Sequence, residues 1–477
     1  MKAAMGTIRS ITTAVNPHVD YQFREGNGAY MMQGGHGAQT VVDQEFEART
    51  VKTVFLRLMP LLLACYLLAY LDRINIGFAA ITMNRDLGLD AYHYGLGAGL
   101  FFWGYFFFEV PSNLALERFG ARRWIARIMV TWGLVSMGTA FITGWMSFVA
   151  LRFLLGIAEA GLFPGVILYL TYWFTTAYRA RIIAAFMVGI PASLALGSPI
   201  STAILAMHGI AGFKGWQWLF LIEGAPTLLL AVIVLLVLPD RPKDARWLTE
   251  DQKQWLEGTL DREQKAVEAT HRMSFWRTFI DHRVLGLSFI YFANLTTNLG
   301  LAFFLPQMIK DMGFSNVQSS FVTAIPYVIG TIGTLAFGYV SDKYKERRIS
   351  LCLALIVSAL GLAGAAFLGN SIAAVAWMSL AAVGIYGAKA PFWPLPSMFL
   401  TGSAAAGGIA LINSVGNLGG FAGPYIMGWV KNATGNYKAG LYVLAAFGIA
   451  AAIVTLIIVK ATPKGATVDN PSPVLAK

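Results

Sequence analysis

Apolar residues along this chain come in runs of about 20, separated by short polar stretches, and no segment keeps up the apolar–polar alternation of a half-buried strand. Runs of that length suit helices that cross a bilayer. Reading windows of roughly 20 residues places twelve spans, near 55–80, 93–116, 124–143, 147–174, 182–207, 217–238, 284–309, 318–341, 350–368, 372–399, 405–431 and 439–460. A polar stretch from Pro239 to about His282 divides them six and six. The pattern predicts an all-α integral membrane protein. Its parts are a flexible tail over 1–52, a six-helix bundle over 53–238, a linker over 239–282, a second bundle over 283–460 and a tail over 461–477. Within the linker, Leu248 to Val267 reads as one amphipathic helix lying on the cytoplasmic face. The first 50 residues lack the apolar core and small-residue cleavage site of a signal peptide, and a start at Met31 or Met32 fits their composition.

Composition strengthens that reading. A chain of 477 residues that is 56% hydrophobic and 13% charged exceeds what one soluble core can bury, so lipid must solvate most of it. The net charge of +11 raises the question of nucleic acid. The basic residues sit between spans, however, and form neither an aromatic-flanked stripe nor a folded basic domain. They fit the charge rule for inner loops instead: Arg118, Arg122 and Arg123, then Arg179 and Arg181, then Lys343, Lys345, Arg347 and Arg348. The alternate loops are poorer, with Arg85, Lys214, Lys310, Lys431 and Lys438. Both termini are therefore expected in the cytoplasm, in a monomer of the cell's inner membrane. Cys65 and Cys352 lie in apolar spans of opposite halves, which argues against a disulfide, and no metal-ligand spacing or cofactor motif occurs.

The chain repeats itself. NLALERFGARR after the second span aligns without a gap with GYVSDKYKERR after the eighth, 225 residues on. Glu117 matches Asp342, Arg118 matches Lys343, and Arg122 and Arg123 match Arg347 and Arg348. One device placed at the same point of two six-span halves is the mark of pseudo-symmetric bundles. A carboxylate near a helix end beside a basic cluster suits a latch that holds topology and can pair across bundles.

Charges within the spans carry the chemistry. Asp72 and Arg73 lie in the first span, and Arg152 and Glu159 in the fourth. An ionisable group at the centre of a membrane helix costs about 3 kcal/mol on insertion scales, so such groups face a partner or a watery path. Arg152, Gly156 and Glu159 share one helix face, with the two charges about 10 Å apart along the axis and Gly156 leaving room between them. Arg73 and Arg152 are candidate binders of a carboxylate, whose geometry a guanidinium matches. Asp72 and Glu159 are candidate proton carriers, since a carboxyl alternately buried and hydrated can load and release a proton. The alternative is two buried salt bridges that only hold spans one and four together.

Lys389, just before APFWPLP in the tenth span, could supply a second positive contact or pair locally. Asn298, Asn413 and Asn417 are candidates for hydrogen bonds to cargo oxygens, although amides in spans more often bridge helices. Glu109 and Glu223 read as structural. The aromatic run Phe101, Phe102, Trp103, Phe106, Phe107 and Phe108 suits lipid packing and a ring-binding pocket equally.

The pattern G-x-x-x-D-[RK]-x-x-x-R-R after spans two and eight resembles the signature loop of the major facilitator superfamily. The second copy is the better match, because the first has Asn113 and Glu117 at the Gly and Asp positions. YLDRINIGFA, VPSNLALERFGARRW, RFLLGIAEAGLFPG, GSPIS, GWQWLFLIEG, APFWPLP and INSVGNLGGFAGP, in that order, resemble its anion:cation symporter branch from about Leu56 to Val459. That branch takes in permeases for tartrate, galactonate, rhamnonate, phthalate and 4-hydroxyphenylacetate. The resemblance implies the twelve-helix fold and proton-coupled uptake of a small organic anion by alternating access. It also implies substrate and proton roles for the Asp, Arg, Arg and Glu at 72, 73, 152 and 159. An anion exchanger, a sodium-coupled carboxylate transporter and a transporter-like sensor are the alternatives. An enzyme would need a nucleophile with a base, a metal cluster or several histidines within the bilayer.

Overall fold

The computed structural model describes residues 36–187, 189–270, 280–344, 346–396 and 402–459, and every regular element among them is helical. The first half comprises α1 (His36–Leu87), α2 (Ala91–Phe119), α3 (Ala121–Gly138), α4 (Trp145–Glu159), α5 (Leu162–Thr171), α6 (Thr176–Met187), α7 (Gly189–Leu205) and α8 (Gly215–Val237). After the linker helix α9 (Glu250–Thr270) come α10 (His282–Asp311), α11 (Asn316–Tyr344), α12 (Arg347–Leu368), α13 (Ala374–Gly387) with the short α14 (Lys389–Phe392), α15 (Gly402–Asn417), α16 (Gly419–Thr434) and α17 (Lys438–Ile458). Taken in order they cover all twelve expected spans, and eight segments among the described residues are long and apolar enough to cross a membrane unaided. Two compact units divide at Arg49 and Thr50, and the twelve spans belong to the second.

Two local features depart from the expected outline. Helix α1 begins at His36, so part of the stretch expected as a flexible tail is helical. The fourth span is broken directly after Glu159: Ala160 is extended and Gly161 takes a left-handed φ of +89°. Pro164 explains the break, because it has no N–H for the Ala160 carbonyl and its ring would collide there, while glycine alone accepts the reversed backbone cheaply. The linker helix starts with a reciprocal cap, Thr249 Oγ1 accepting from the Gln252 N–H at 3.3 Å and Gln252 Oε1 from the Thr249 N–H at 3.1 Å. It docks through buried Leu256 and through Glu263, which accepts from the Thr176 N–H and hydroxyl at the start of α6.

The halves meet most closely at the end that carries the α1–α2 turn, the end away from the linker. Here α2 and α16 approach through glycines: a Cβ on Gly95 would sit 2.3 Å from the Pro424 carbonyl oxygen, and one on Gly428 would sit 2.2 Å from that of Ala91. Small residues let membrane helices come this close, where van der Waals packing rather than water drives association. Tyr94 Oη donates to the Phe303 carbonyl at 2.9 Å, Asn84 Nδ2 to Gln307 Oε1 at 3.1 Å, and the Ser198 hydroxyl to the Ser320 carbonyl.

Candidate functional site

Helices α1, α2, α3 and α4 bring three of the four charges expected to act together into one buried neighbourhood and hold the fourth, Asp72, just behind them. Arg73 reaches from α1 to Glu159 at the last turn of α4 and forms an ion pair with it. The broken backbone at Ala160 and Gly161 is what places that carboxylate at a helix end. Asp72 does not pair with Arg152. Its two oxygens accept from Trp132 Nε1 and the Ser136 hydroxyl on α3, and from Asn75 Nδ2 at 3.0 Å on α1 itself. Of the two salt bridges in the alternative reading, only one forms.

Arg152 is left alone. It is 1% exposed, and none of its three guanidinium nitrogens has a hydrogen-bond partner among the described residues. Its Cζ lies 5.1 Å from the centre of the Phe101 ring, and the Cζ of Arg73 lies 5.2 Å from the same centre. Tyr70 and Tyr105 stand 5.8 and 5.5 Å from Arg73. Ring faces attract cations, by about 2 kcal/mol or more where water is excluded, which helps to retain a buried guanidinium. They give it no hydrogen-bond acceptor. A permanently charged fork with five donors and no acceptor therefore sits in a buried, aromatic-walled site beside an ion pair.

The aromatic run of α2 thereby divides between its two possible uses. Phe101 and Phe102 are buried and face the arginines, whereas Phe107 and Phe108 are exposed. Gly156 serves a purpose other than the expected one. A Cβ there would lie 2.0 Å from the Phe101 carbonyl oxygen, so the space beside it is filled by the α2 backbone and is not free for a ligand.

The remaining candidates are dispersed. Asn413 on α15 is engaged across the halves, its Nδ2 donating to Glu109 Oε1 on α2 at 3.2 Å. Asn298 is buried on α10, and Asn417 closes α15, half-buried. Asn294, one turn before Asn298, bridges helices by donating to the Ile385 carbonyl at 3.1 Å. Lys389 lies among the second-half helices, its Nζ 4.7 Å from the centre of the Tyr386 ring, and lines a small cavity with Tyr291, Asn294 and Phe392. That cavity is not the arginine pocket.

The repeated loops act within their own halves. Arg122 receives Asp240 at the start of the linker, through a backbone N–H bond of 2.9 Å and an ion pair of 3.9 Å. Glu117, Arg118 and Arg123 are exposed. Arg348 donates to the Leu456 carbonyl at 2.6 Å, Lys343 is exposed beside Tyr339 and Tyr344, and Arg347 opens α12. The Asp342 side chain lies outside the described residues. Among the described residues, the bonds found for Arg122 and Arg348 stay inside one half.

Sequence reading missed the cradle of Asp72. Trp132 and Ser136 stand at i and i+4 on α3, and a Trp and a Ser at helical spacing facing an intramembrane Asp is a signal that could have found it. It also missed Glu109, which is buried and touches the other half.

Comparison with known proteins places this arrangement. The profile of the Major Facilitator Superfamily matches residues 62–424. A protein of Agrobacterium vitis named "Putative tartrate transporter" is 47% identical over 424 residues, covering 89% of this chain and 94% of its own. A "Quinolone resistance transporter" of Acinetobacter baumannii is 43% identical over 417 residues, covering 87% and 96%. Among solved structures, the inward open conformation of the xylose transporter XylE from E. coli superposes with a TM-score of 0.70 at 14% identity, covering 86% of this chain and 98% of that one. At that identity the likeness is one of fold.

Proposed function

The chain belongs to the Major Facilitator Superfamily, a family of multi-pass membrane transporters and not of enzymes, and on that premise we propose that it takes up a small organic carboxylate together with a proton. The observation that carries the reading is Arg152, a buried guanidinium with no acceptor in a pocket that already holds an Arg–Glu pair. An uncompensated buried charge costs several kcal/mol and persists where a ligand supplies the missing partner. A carboxylate fits the planar fork with two parallel hydrogen bonds.

Glu159 then couples the cargo to a proton. While it is ionised it occupies Arg73. A proton taken up by Glu159 releases that guanidinium, so that Arg73 and Arg152 together can hold the anion. Cargo binding and protonation favour the same state, and each ligand raises the affinity for the other by the same factor. Asp72, held by neutral donors within the field of Arg152, is the second proton candidate. With the linker end in the cytoplasm, the closed glycine seam of α2 and α16 seals the pocket from outside. Opening that seam while the Asn413–Glu109 contact tightens the other end gives alternating access. The two bundles at 53–238 and 283–460 would be the rocking bodies, with Arg122 and Arg348 stiffening each one. Relatives named for tartrate transport and for quinolone resistance leave the cargo open between hydroxy acids and larger aromatic compounds.

External alkalinisation by de-energised cells expressing the protein tests this, with tartrate, galactonate and 4-hydroxyphenylacetate added in turn. The parent should take up protons with at least one class, and Glu159→Gln should exchange cargo without moving protons. Cargo entry with no alkalinisation, or with a dependence on sodium, would overturn the coupling.

A further inference from the structure

A second group of buried polar side chains lies between α1, α7 and α8, outside the arginine pocket. Glu223 on α8 is 5% exposed, and Asn75 on α1 is fully buried. Glu223 Oε1 accepts from the Ser201 hydroxyl on α7 at 3.1 Å. Asn75 Nδ2 donates to Asp72 at 3.0 Å, and the Asn75 side chain also lies next to Glu223. Two atoms are then left over, Glu223 Oε2 and Asn75 Oδ1, both buried and both without a partner. Each is an acceptor lacking a donor.

The charge balance is also incomplete. The titratable group that acts on Glu223 is Asp72, another acid. Helix α7 offers it the Ser201 hydroxyl, and α3 offers the adjoining Gly224 only Gly133 and Met137. Arg152 lies within the field of Asp72. Two carboxylates on either side of one carboxamide in a buried site cannot both be ionised cheaply, and the pair titrates as a unit.

We propose that Glu223 is a proton-binding site, its Oε2–H donating to Asn75 Oδ1, and that this proton keeps Asp72 ionised opposite Arg152. One proton satisfies both orphaned atoms and removes the like-charge repulsion. It completes a chain from the Glu223 hydroxyl through the Asn75 amide to the Asp72 carboxylate, in which each hydrogen bond polarises the next. A metal cation serves less well. Three donors already occupy the oxygens of Asp72, which leaves such an ion only Glu223, Asn75 and the Ser201 hydroxyl, against the six or more oxygens that hard cations usually collect. The site lies beside a cleft at the end away from the linker, lined by Thr82, Arg85, Thr202, His208 and Ser320, through which a proton could enter. This inference deepens the proton-coupled reading above and rests on it for its use in transport, although its test needs no cargo.

Infrared spectroscopy of the purified protein in lipid at neutral pH reads the carbonyl band of protonated carboxyl groups directly. The parent should show such a band, Glu223→Gln should lose it, and Glu159→Gln should keep it. The glutamine can donate to Asn75 and accept from Ser201 as the protonated acid does, so that variant should fold. Ser201→Ala, which leaves Glu223 in place, should shift the band by removing one hydrogen bond. A band unchanged in both Glu223→Gln and Ser201→Ala, or one that disappears when sodium chloride replaces choline chloride at constant pH, overturns the assignment. These outcomes stand whether or not the alkalinisation experiment succeeds.

Discussion

The two halves share a repeated loop and a helix plan, yet they differ in what they bury. Among the described residues, the fully buried charges are Asp72, Glu109, Arg152, Glu159 and Glu223, and all five belong to the first half. The second half buries amides and hydroxyls at the matching depth, including Asn294, Thr296, Thr297 and Asn298 on α10, with Lys389 only half-buried. Equal scaffolds with unequal charge imply a division of labour. In the proposed mechanism the first half would hold the ionic chemistry of anion and proton, and the second would present a neutral wall that reads the rest of the cargo and moves against the first without breaking buried ion pairs. The buried ion pair agrees, since Arg73–Glu159 lies within the first half, whereas the Lys431–Asp311 pair of the second half is partly exposed.

Arg152→Gln should break the comparison most severely. It removes the charge for which the pocket is built, at about 1.5–3 kcal/mol for each charged hydrogen bond lost to the carboxylate, so cargo affinity should fall at least tenfold to a hundredfold. Because the arginine has no partner, the unliganded protein should melt no earlier than the parent, and a variant that unfolds readily would show that Arg152 is structural. Gly156→Ala comes next. Its methyl would meet the Phe101 carbonyl oxygen at 2.0 Å and push α4 away from α2, at about 1–3 kcal/mol for overpacking. A lower melting point with transport reduced several-fold is expected, and unchanged melting would refute the close approach.

Asn413→Ala tests the contact between the halves. Hydrogen bonds between membrane helices contribute about 0.6 kcal/mol on average, so a change of a few-fold in transport rate with little change in cargo affinity is expected. A large loss of affinity would return Asn413 to the cargo site. Lys389→Ala should have the smallest effect, under threefold on affinity, because Lys389 stands over Tyr386 in a separate cavity. A tenfold loss would mean that the second half also supplies charge, and the asymmetry would fall.

Much of this architecture is legible in the amino-acid sequence. The twelve spans, the two halves and the linker helix follow from runs of apolar residues, because lipid forces backbone bonds into helices and leaves length as the main variable. Arg73, Arg152 and Glu159 stand out because charge in an apolar run is costly. Their partners are not legible. Nothing in the spacing of Asp72 says that Trp132 and Ser136 will satisfy it while Arg152 goes without, since that depends on how α3 is rotated against α1. Gly156 reads as open space because a missing side chain looks the same whether a ligand or a helix fills the gap. Glu109 and Glu223 read as structural because each is a single acid near a span end, and only the packed helices show Asn413 beside one and Asn75 beside the other.

The most direct test of the central claim is thermal unfolding of the purified protein titrated with tartrate, galactonate and 4-hydroxyphenylacetate, for the parent and Arg152→Gln side by side. A ligand at a hundred times its dissociation constant stabilises the folded state by about 2.7 kcal/mol, which is readily measured. A saturable rise in melting temperature for one acid in the parent, lost in Arg152→Gln with the unliganded melting point preserved, is the predicted result. An equal rise in both proteins would contradict the account, because the carboxylate would then be bound without the guanidinium that the structure leaves unpartnered.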